Sequence, residues 1–207
     1  MRTNNLTNLI FTALVLFLVL GNNIRRIQPE NPTLQEEVNE TTVQRESANL
    51  GSLNYQVSEA LAVKAPAALT KYLNRESEIF EKNSRQRWAL ASLTKLMTAL
   101  VVVEKMNLND SVILGEKAVA EEGIAGNFSV NEKFSVRDLL RALLIVSSND
   151  AAKSLAGFYG EDKFIQAMRE KAFELDMTET DFIDASGLSH LNQSTADDLE
   201  KLLRYIF

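Results

Sequence analysis

The chain has 207 residues, 45% of them hydrophobic and 24% charged, with no cysteine, one histidine and a formal charge of −6. The lack of cysteine excludes a disulfide framework, a thiolate metal site and a cysteine nucleophile, and a single histidine excludes a multi-histidine metal centre and leaves little scope for a Ser-His-Asp triad. Net negative charge without a long basic run argues against nucleic acid as a partner, so the chemistry must come from hydroxyls, carboxylates, amides and lysines.

The N-terminus carries an uncharged hydrophobic segment from Leu9 to Leu20, preceded by Arg2 and followed by Gly21, Asn22 and Asn23. Such a segment is short for a bilayer span and suits the apolar region of an export signal. No small-x-small cleavage site follows it, and Arg25 and Arg26 place positive charge on its far side. Residues 1–24 therefore read as a signal peptide or an N-terminal membrane anchor. Residues 25–52, rich in Asn, Gln, Glu and Thr with Pro29 and Pro32, bury too little apolar surface to offset ordering entropy and read as a polar linker. The folded domain is expected over residues 53–207.

Within it, a short helix is predicted around Val57 to Val63, then strands over Ala67 to Leu73 and Glu78 to Glu81 joined through Asn74–Ser77. A helix from Ser92 to about Met106 has few polar gaps and should be buried on most sides. Phe128 to Phe134, centred on Asn131 and Glu132, reads as a second small hairpin. Ser135, with Asp138 three residues on, caps a helix through Leu139, Leu140 and Leu143. Another helix begins beyond Asn149. Gly160 to Asp176 is amphipathic, with Phe164, Ala167, Met168 and Phe173 on its apolar side. Phe182 and Ile183 form a short extended piece, and Thr195 to Phe207 a last helix. The sum is a helix-rich α+β domain with its strands near the front.

Two motifs carry chemistry. In Ala91-Ser92-Leu93-Thr94-Lys95, a helix opening at Ser92 places Lys95 one turn on, on the same face. A lysine in an apolar surround can lose enough proton affinity to deprotonate a serine hydroxyl, and a helix N-terminus aims free N–H groups at an oxyanion. The competing reading is a serine cap followed by a solvated lysine; the apolar neighbours Leu93, Leu96 and Met97 weigh against it, because burying a lysine there is expensive. In Ser147-Ser148-Asn149-Asp150, a nearly apolar helix ends in a polar turn. Ser147 and Asn149, two apart, can both point into one cleft, the hydroxyl relaying a proton and the amide holding a substrate carbonyl. The competing reading is an ordinary helix junction.

Ser-x-x-Lys opening a hydrophobic helix, with Ser-x-Asn at a later helix junction, resembles the active-site-serine penicillin-recognising enzymes. More closely, the chain resembles the D-alanyl-D-alanine carboxypeptidase family, peptidase family S11. Ala91–Leu100, Val136 through Ala152, and Ser186-Gly187-Leu188 followed by Ser194–Leu199 all match that family, from about Ala65 to the end. The resemblance implies a β-lactamase/transpeptidase-like fold, a helical subdomain with an incomplete antiparallel sheet. It implies Ser92 as acylated nucleophile, Lys95 as general base, Ser147 as proton relay and Asn149 as substrate-binding residue, with no metal or organic cofactor. The substrate implied is a peptidoglycan stem peptide ending in D-Ala-D-Ala, with β-lactams as covalent inhibitors. The address implied is the periplasm or the extracytoplasmic face of a bacterial cytoplasmic membrane. The family's Lys-Thr-Gly motif does not occur in this sequence, so the resemblance is to a C-terminally truncated catalytic domain. The alternatives are a non-catalytic envelope binding protein derived from this fold, or a serine β-lactamase. His190 and the pairs Glu121–Glu122 and Asp197–Asp198 read as solvated surface residues, since adjacent positions diverge on a helix.

Overall fold

The computed structural model describes residues 63–72, 78–120 and 125–207, which fall into two compact units, one ending at Ser84 and one running from Arg85 to Phe207. The first unit is a hairpin: β1 (Ala68–Lys71) pairs antiparallel with β2 (Glu78–Lys82), Leu69 opposite Glu81 and Thr70 opposite Phe80. Both strands lie where the alternation predicts them. Lys82 Nζ donates to the Val63 carbonyl at 2.8 Å and Asn83 Nδ2 to that of Pro66 at 2.8 Å, closing the hairpin's open end. The expected signal segment, the linker and nearly all of the short helix around Val57 to Val63 lie outside the described residues; Val63 itself is non-helical.

In the second unit, β3 (Trp88–Ala89) leads into one 3-10 turn at Ala91–Leu93 and then α1 (Thr94–Lys105). The unit continues through β4 (Ser111–Ile113), α2 (Glu116–Val119), β5 (Lys133–Ser135), α3 (Val136–Ile145), α4 (Asn149–Tyr159), α5 (Glu161–Glu174), β6 (Gln193–Ser194) and α6 (Ala196–Ile206). Helix α1 is the axis of the core. Its Met97 and Val102 are fully buried against a cluster that includes Leu139 of α3, Leu155 of α4, and Phe164 and Met168 of α5. Among the described residues, no helix is long and apolar enough to cross a membrane.

The Ser135 cap is as the sequence predicts, and Thr195 adds one that the sequence reading does not name. Ser135 Oγ accepts the Asp138 N–H at 3.1 Å and opens α3, and Thr195 Oγ1 does the same for Asp198 and α6; each bond satisfies one of the otherwise orphaned first-turn donors. Three expectations are corrected. The hairpin expected over Phe128–Phe134 is absent: β5 pairs with β4, Val112 opposite Phe134, while Asn131 turns the chain in a left-handed conformation (φ 68°). β4 has one buried residue, too short an alternation to show a period. Phe173 is 87% exposed, because the buried positions of α5 (Phe164, Met168, Lys171, Ala172) define a stripe that passes it by. The short extended piece expected at Phe182–Ile183 adjoins an isolated bridge one residue earlier, Asp181 with Gln193. Asp198 is not solvated; it is 2% exposed and accepts from the Glu179 N–H at 2.9 Å, Thr180 Oγ1 at 2.8 Å and Lys201 Nζ at 3.0 Å. Its neighbour Asp197 pairs with Arg85 at 3.4 Å.

At the C-terminal end of α1, Glu104 accepts from Lys171 Nζ of α5 at 2.9 Å and from the Tyr205 hydroxyl of α6 at 2.7 Å. The Lys171 ammonium also lies 5.1 Å from the Tyr205 ring centroid, within cation–π range. Three helices meet there.

Leu139 is fully buried in the core of this unit. Leu139→Ala is expected to lower unfolding stability by about 2–5 kcal/mol, read as a reduced urea midpoint at unchanged m-value.

Candidate active site

Ser92 sits in the 3-10 turn ahead of α1, and Lys95 one turn further on. Ala91, just before the serine, is left-handed at φ 45°, and so is Ser147 at φ 57°. Such conformations are uncommon for non-glycine residues and cost on the order of 1–3 kcal/mol, so they persist only where surrounding structure holds them. At Ser147 the holding is visible: α3 ends with the Val146 and Ser148 N–H groups both on the Ala142 carbonyl, and α4 restarts with Ser148 Oγ capping Ala151. The kink turns Ser147 toward Ser92. Ser147 Oγ donates to Ser92 Oγ at 3.1 Å.

Lys95 is 3% exposed. Its Nζ donates to Asn149 Oδ1 at 2.7 Å, to the Ser186 carbonyl at 2.7 Å and, more distantly, to Ser92 Oγ at 3.5 Å. Three donors thus meet three acceptors from three segments. Burial pushes the ammonium down from its ordinary value of 10.5 to about 8, with the Asp184 carboxylate pulling in the opposite direction. The four residues singled out by the two motifs converge on one spot. Asn149 turns its carbonyl oxygen to Lys95, a contact the sequence reading does not anticipate. One feature of that reading is corrected: the Leu93 N–H is bonded to the Leu90 carbonyl and the Thr94 N–H to those of Ala91 and Ser92, so neither is a free donor beside Ser92. The tight 3-10 turn uses them.

The remaining part of the site comes from residues 184–192. Asn192 Nδ2 donates to Thr94 Oγ1 at 3.1 Å, and Thr98 Oγ1 to the Ala185 carbonyl at 2.7 Å. Gly187, at φ 89°, lies so close to the Ala91 carbonyl that an added Cβ would stand 1.9 Å from its oxygen. Only glycine fits there, both for backbone conformation and for space. Family resemblance marks Ser186-Gly187-Leu188 in the sequence but gives those residues no task; in the structure the Ser186 carbonyl receives Lys95 and Gly187 lies against the Ala91 carbonyl. His190 is exposed in the same loop. Among the described residues there is no group of three or more His, Asp or Glu side chains arranged to hold a metal.

Chemically, the cluster offers a hydroxyl with a second hydroxyl and a primary amine around it, the equipment for a serine nucleophile with proton transfer at both sides. The α+β domain bearing it has the fold of the penicillin-binding DD-peptidases. A D-alanyl-D-alanine carboxypeptidase from Mycobacterium tuberculosis matches 68% of this chain and 55% of its own at 29% identity and a TM-score of 0.65. Penicillin-binding protein D2 from Listeria monocytogenes, solved in its ampicillin-bound form, matches 70% and 63% at 30% identity and a TM-score of 0.63. The D-alanyl-D-alanine endopeptidase of Pseudomonas aeruginosa is 37% identical over 141 residues, 66% of this chain and 46% of its own length. The chain belongs to the D-alanyl-D-alanine carboxypeptidase family, peptidase S11, whose model matches residues 54–207. It spans about half the length of the relatives it matches.

The lowered proton affinity of Lys95 has a thermodynamic signature. Between pH 8 and 10.5 the unfolded chain holds a proton on this lysine that the folded chain has lost, so stability rises with pH across that window. Relative to Lys95→Met, the wild type is expected to gain on the order of 3 kcal/mol from the lower to the upper end. Parallel urea titrations of the two proteins along the window measure it.

Proposed function

We propose that the chain is a serine DD-peptidase acting on peptidoglycan stem peptides through an acyl-enzyme on Ser92. The observation that carries this reading is the meeting of two motifs far apart in sequence: Ser147 Oγ 3.1 Å from Ser92 Oγ, and Lys95 Nζ 2.7 Å from Asn149 Oδ1.

In this reading Ser92 Oγ attacks the carbonyl carbon of the penultimate D-alanine. Its proton passes to Lys95, whose amine is neutral in a useful fraction because burial has lowered its proton affinity. The tetrahedral intermediate collapses, the peptide C–N bond breaks, and the departing amine of the terminal D-alanine takes a proton delivered through the Ser147 hydroxyl. Water then attacks the Ser92 ester and the serine recovers its proton. Asn149 orients the lysine before substrate arrives and binds the substrate backbone when it does. A β-lactam would acylate the same serine by opening of its ring amide, leaving no fragment free to depart. The address that fits this substrate is the bacterial cell envelope outside the cytoplasm, with residues 1–24 as export signal or anchor. Relatives named both carboxypeptidase and endopeptidase match the chain; free D-alanine released from a pentapeptide, against scission of a cross-linked dimer, separates these two specificities.

Fluorescent penicillin tests the reading directly. The folded wild type is expected to take a stable label, and Ser92→Ala to take none. Ser147→Ala is expected to label about 10²–10⁴-fold more slowly, the range for loss of a positioned proton relay. A folded wild type that takes no label would overturn the acyl-enzyme reading in favour of a binding protein on this fold. Rapid hydrolysis of the drug would favour a β-lactamase.

A further inference from the structure

One acceptor of the Lys95 ammonium, the Ser186 carbonyl, belongs to a turn with no strand or helix of its own, and Asp184 builds that turn. Its Oδ1 accepts from the Ser186 N–H at 2.7 Å, the Ser186 hydroxyl at 2.9 Å and the Gly187 N–H at 2.6 Å, while Oδ2 accepts from the Ser189 N–H at 2.7 Å. Asn192 fastens the same turn from its other end. Its Oδ1 accepts from the Ile183 and Asp184 N–H groups at 2.7 and 3.2 Å, and its Nδ2 donates to the Asp184 carbonyl at 3.0 Å. Burial by itself would raise the Asp184 carboxyl, but the donors from Gly187, Ser189 and Ser186 outweigh it and hold the group below its ordinary value, so it is an anion at neutral pH.

Helix α3 carries Arg137, Asp138 and Arg141 on its exposed side, α4 brings the buried Asp150, and α5 brings Lys171, which pairs with Glu104 at the far end of α1. Asp184 is the charged group whose field acts on the Lys95 ammonium.

We propose that Asp184 is a positioning residue for the Ser92–Lys95 pair: it folds the 184–189 turn so that the Ser186 carbonyl receives the lysine, and its negative charge favours the protonated ammonium, setting the pH below which Lys95 cannot take the serine proton. The first half stands on the hydrogen bonds alone; the second rests on the acyl-enzyme reading above. The opposition is chemically useful. The same carboxylate that orders the site limits how much neutral amine it holds.

The experiment uses the full chain with lysine labelled with carbon-13 at Cε, the Lys95 signal being assigned by its loss in Lys95→Met. In the wild type this signal is expected to titrate near pH 8. In Asp184→Asn, or in Asp184→Ser if the first variant does not fold, the midpoint is expected at least about half a unit lower, because an attracting charge has gone. Asp184→Glu is expected to return it toward the wild-type value, which a purely structural role would not do. A midpoint unmoved in a folded neutral variant overturns the proposal. On the same samples, the acid limb of penicillin labelling is expected to move down in step, so that the neutral variant labels faster than wild type below the midpoint. A labelling limb that ignores a shifted lysine overturns the catalytic half of the proposal. A wild type that takes no label overturns the acyl-enzyme reading instead, while the lysine titration still decides the role of Asp184.

Discussion

A lysine ammonium placed almost wholly out of water is the demand around which this domain is arranged. Removing such a charge from solvent costs several kcal/mol even after relaxation, and the cost is offset only when every N–H finds an acceptor of good geometry. Lys95 finds two at 2.7 Å, Asn149 Oδ1 and the Ser186 carbonyl, and a weaker one at Ser92. Each arrives on a different part of the chain. Helix α4 must start where it does to present Asn149, and the 184–192 loop must lie along α1 to present Ser186. The packing of α1 against α3, α4 and α5 is the scaffold that brings those acceptors to one point. The residual imbalance, an ammonium still less comfortable than in water, is why Lys95 holds its proton less tightly than an ordinary lysine.

The parts of this arrangement written locally in the chain are legible from sequence. Ser135 with Asp138, the apolar run of α1, and the spacing of Ser92 to Lys95 depend on neighbours three or four residues away, and helical geometry converts that spacing directly into contact. Ser147 and Asn149 are legible as a pair for the same reason, though their partners are not. What sequence reading misses is long-range. Asn192 reaching Thr94, Thr98 reaching the Ala185 carbonyl, and Asp184 gathering the amides after it are contacts fixed only once the loop is folded onto the helix. Strands of two or three residues such as β3, β4 and β6 are too short to carry a period of two. Asp198 resists prediction in a different way: an Asp in a first helical turn is ordinarily solvated, and its burial is explained by the Glu179–Thr180 turn coming to meet it.

Two non-glycine residues in left-handed conformations set the hydroxyl pair: Ser147 itself and Ala91, just before Ser92. Both are places where the backbone accepts an unfavourable conformation so that a neighbouring group is correctly aimed. At Ala91 the carbonyl also receives the Gly187 backbone at close range. The backbone leading to Ser92 and the turn that serves Lys95 are therefore in direct contact, and a change in one is felt by the other without passing through either side chain.

The cluster of Glu104, Lys171 and Tyr205 gains a meaning from this. It fastens the last turn of α1 to α5 and α6 with an ion pair, a hydroxyl bond and an aromatic face, while the 184–192 loop fastens the first turns. A rod held firmly at its distant end behaves as a fixed post. The loop at the other end is held mainly by backbone groups, the Ala185 and Ser186 carbonyls on Thr98 and Lys95. The two ends of α1 therefore answer to different conditions: the Glu104–Lys171 ion pair weakens as salt screens it, while the Thr98–Ala185 and Asn192–Thr94 bonds of the loop carry no net charge and are left in place.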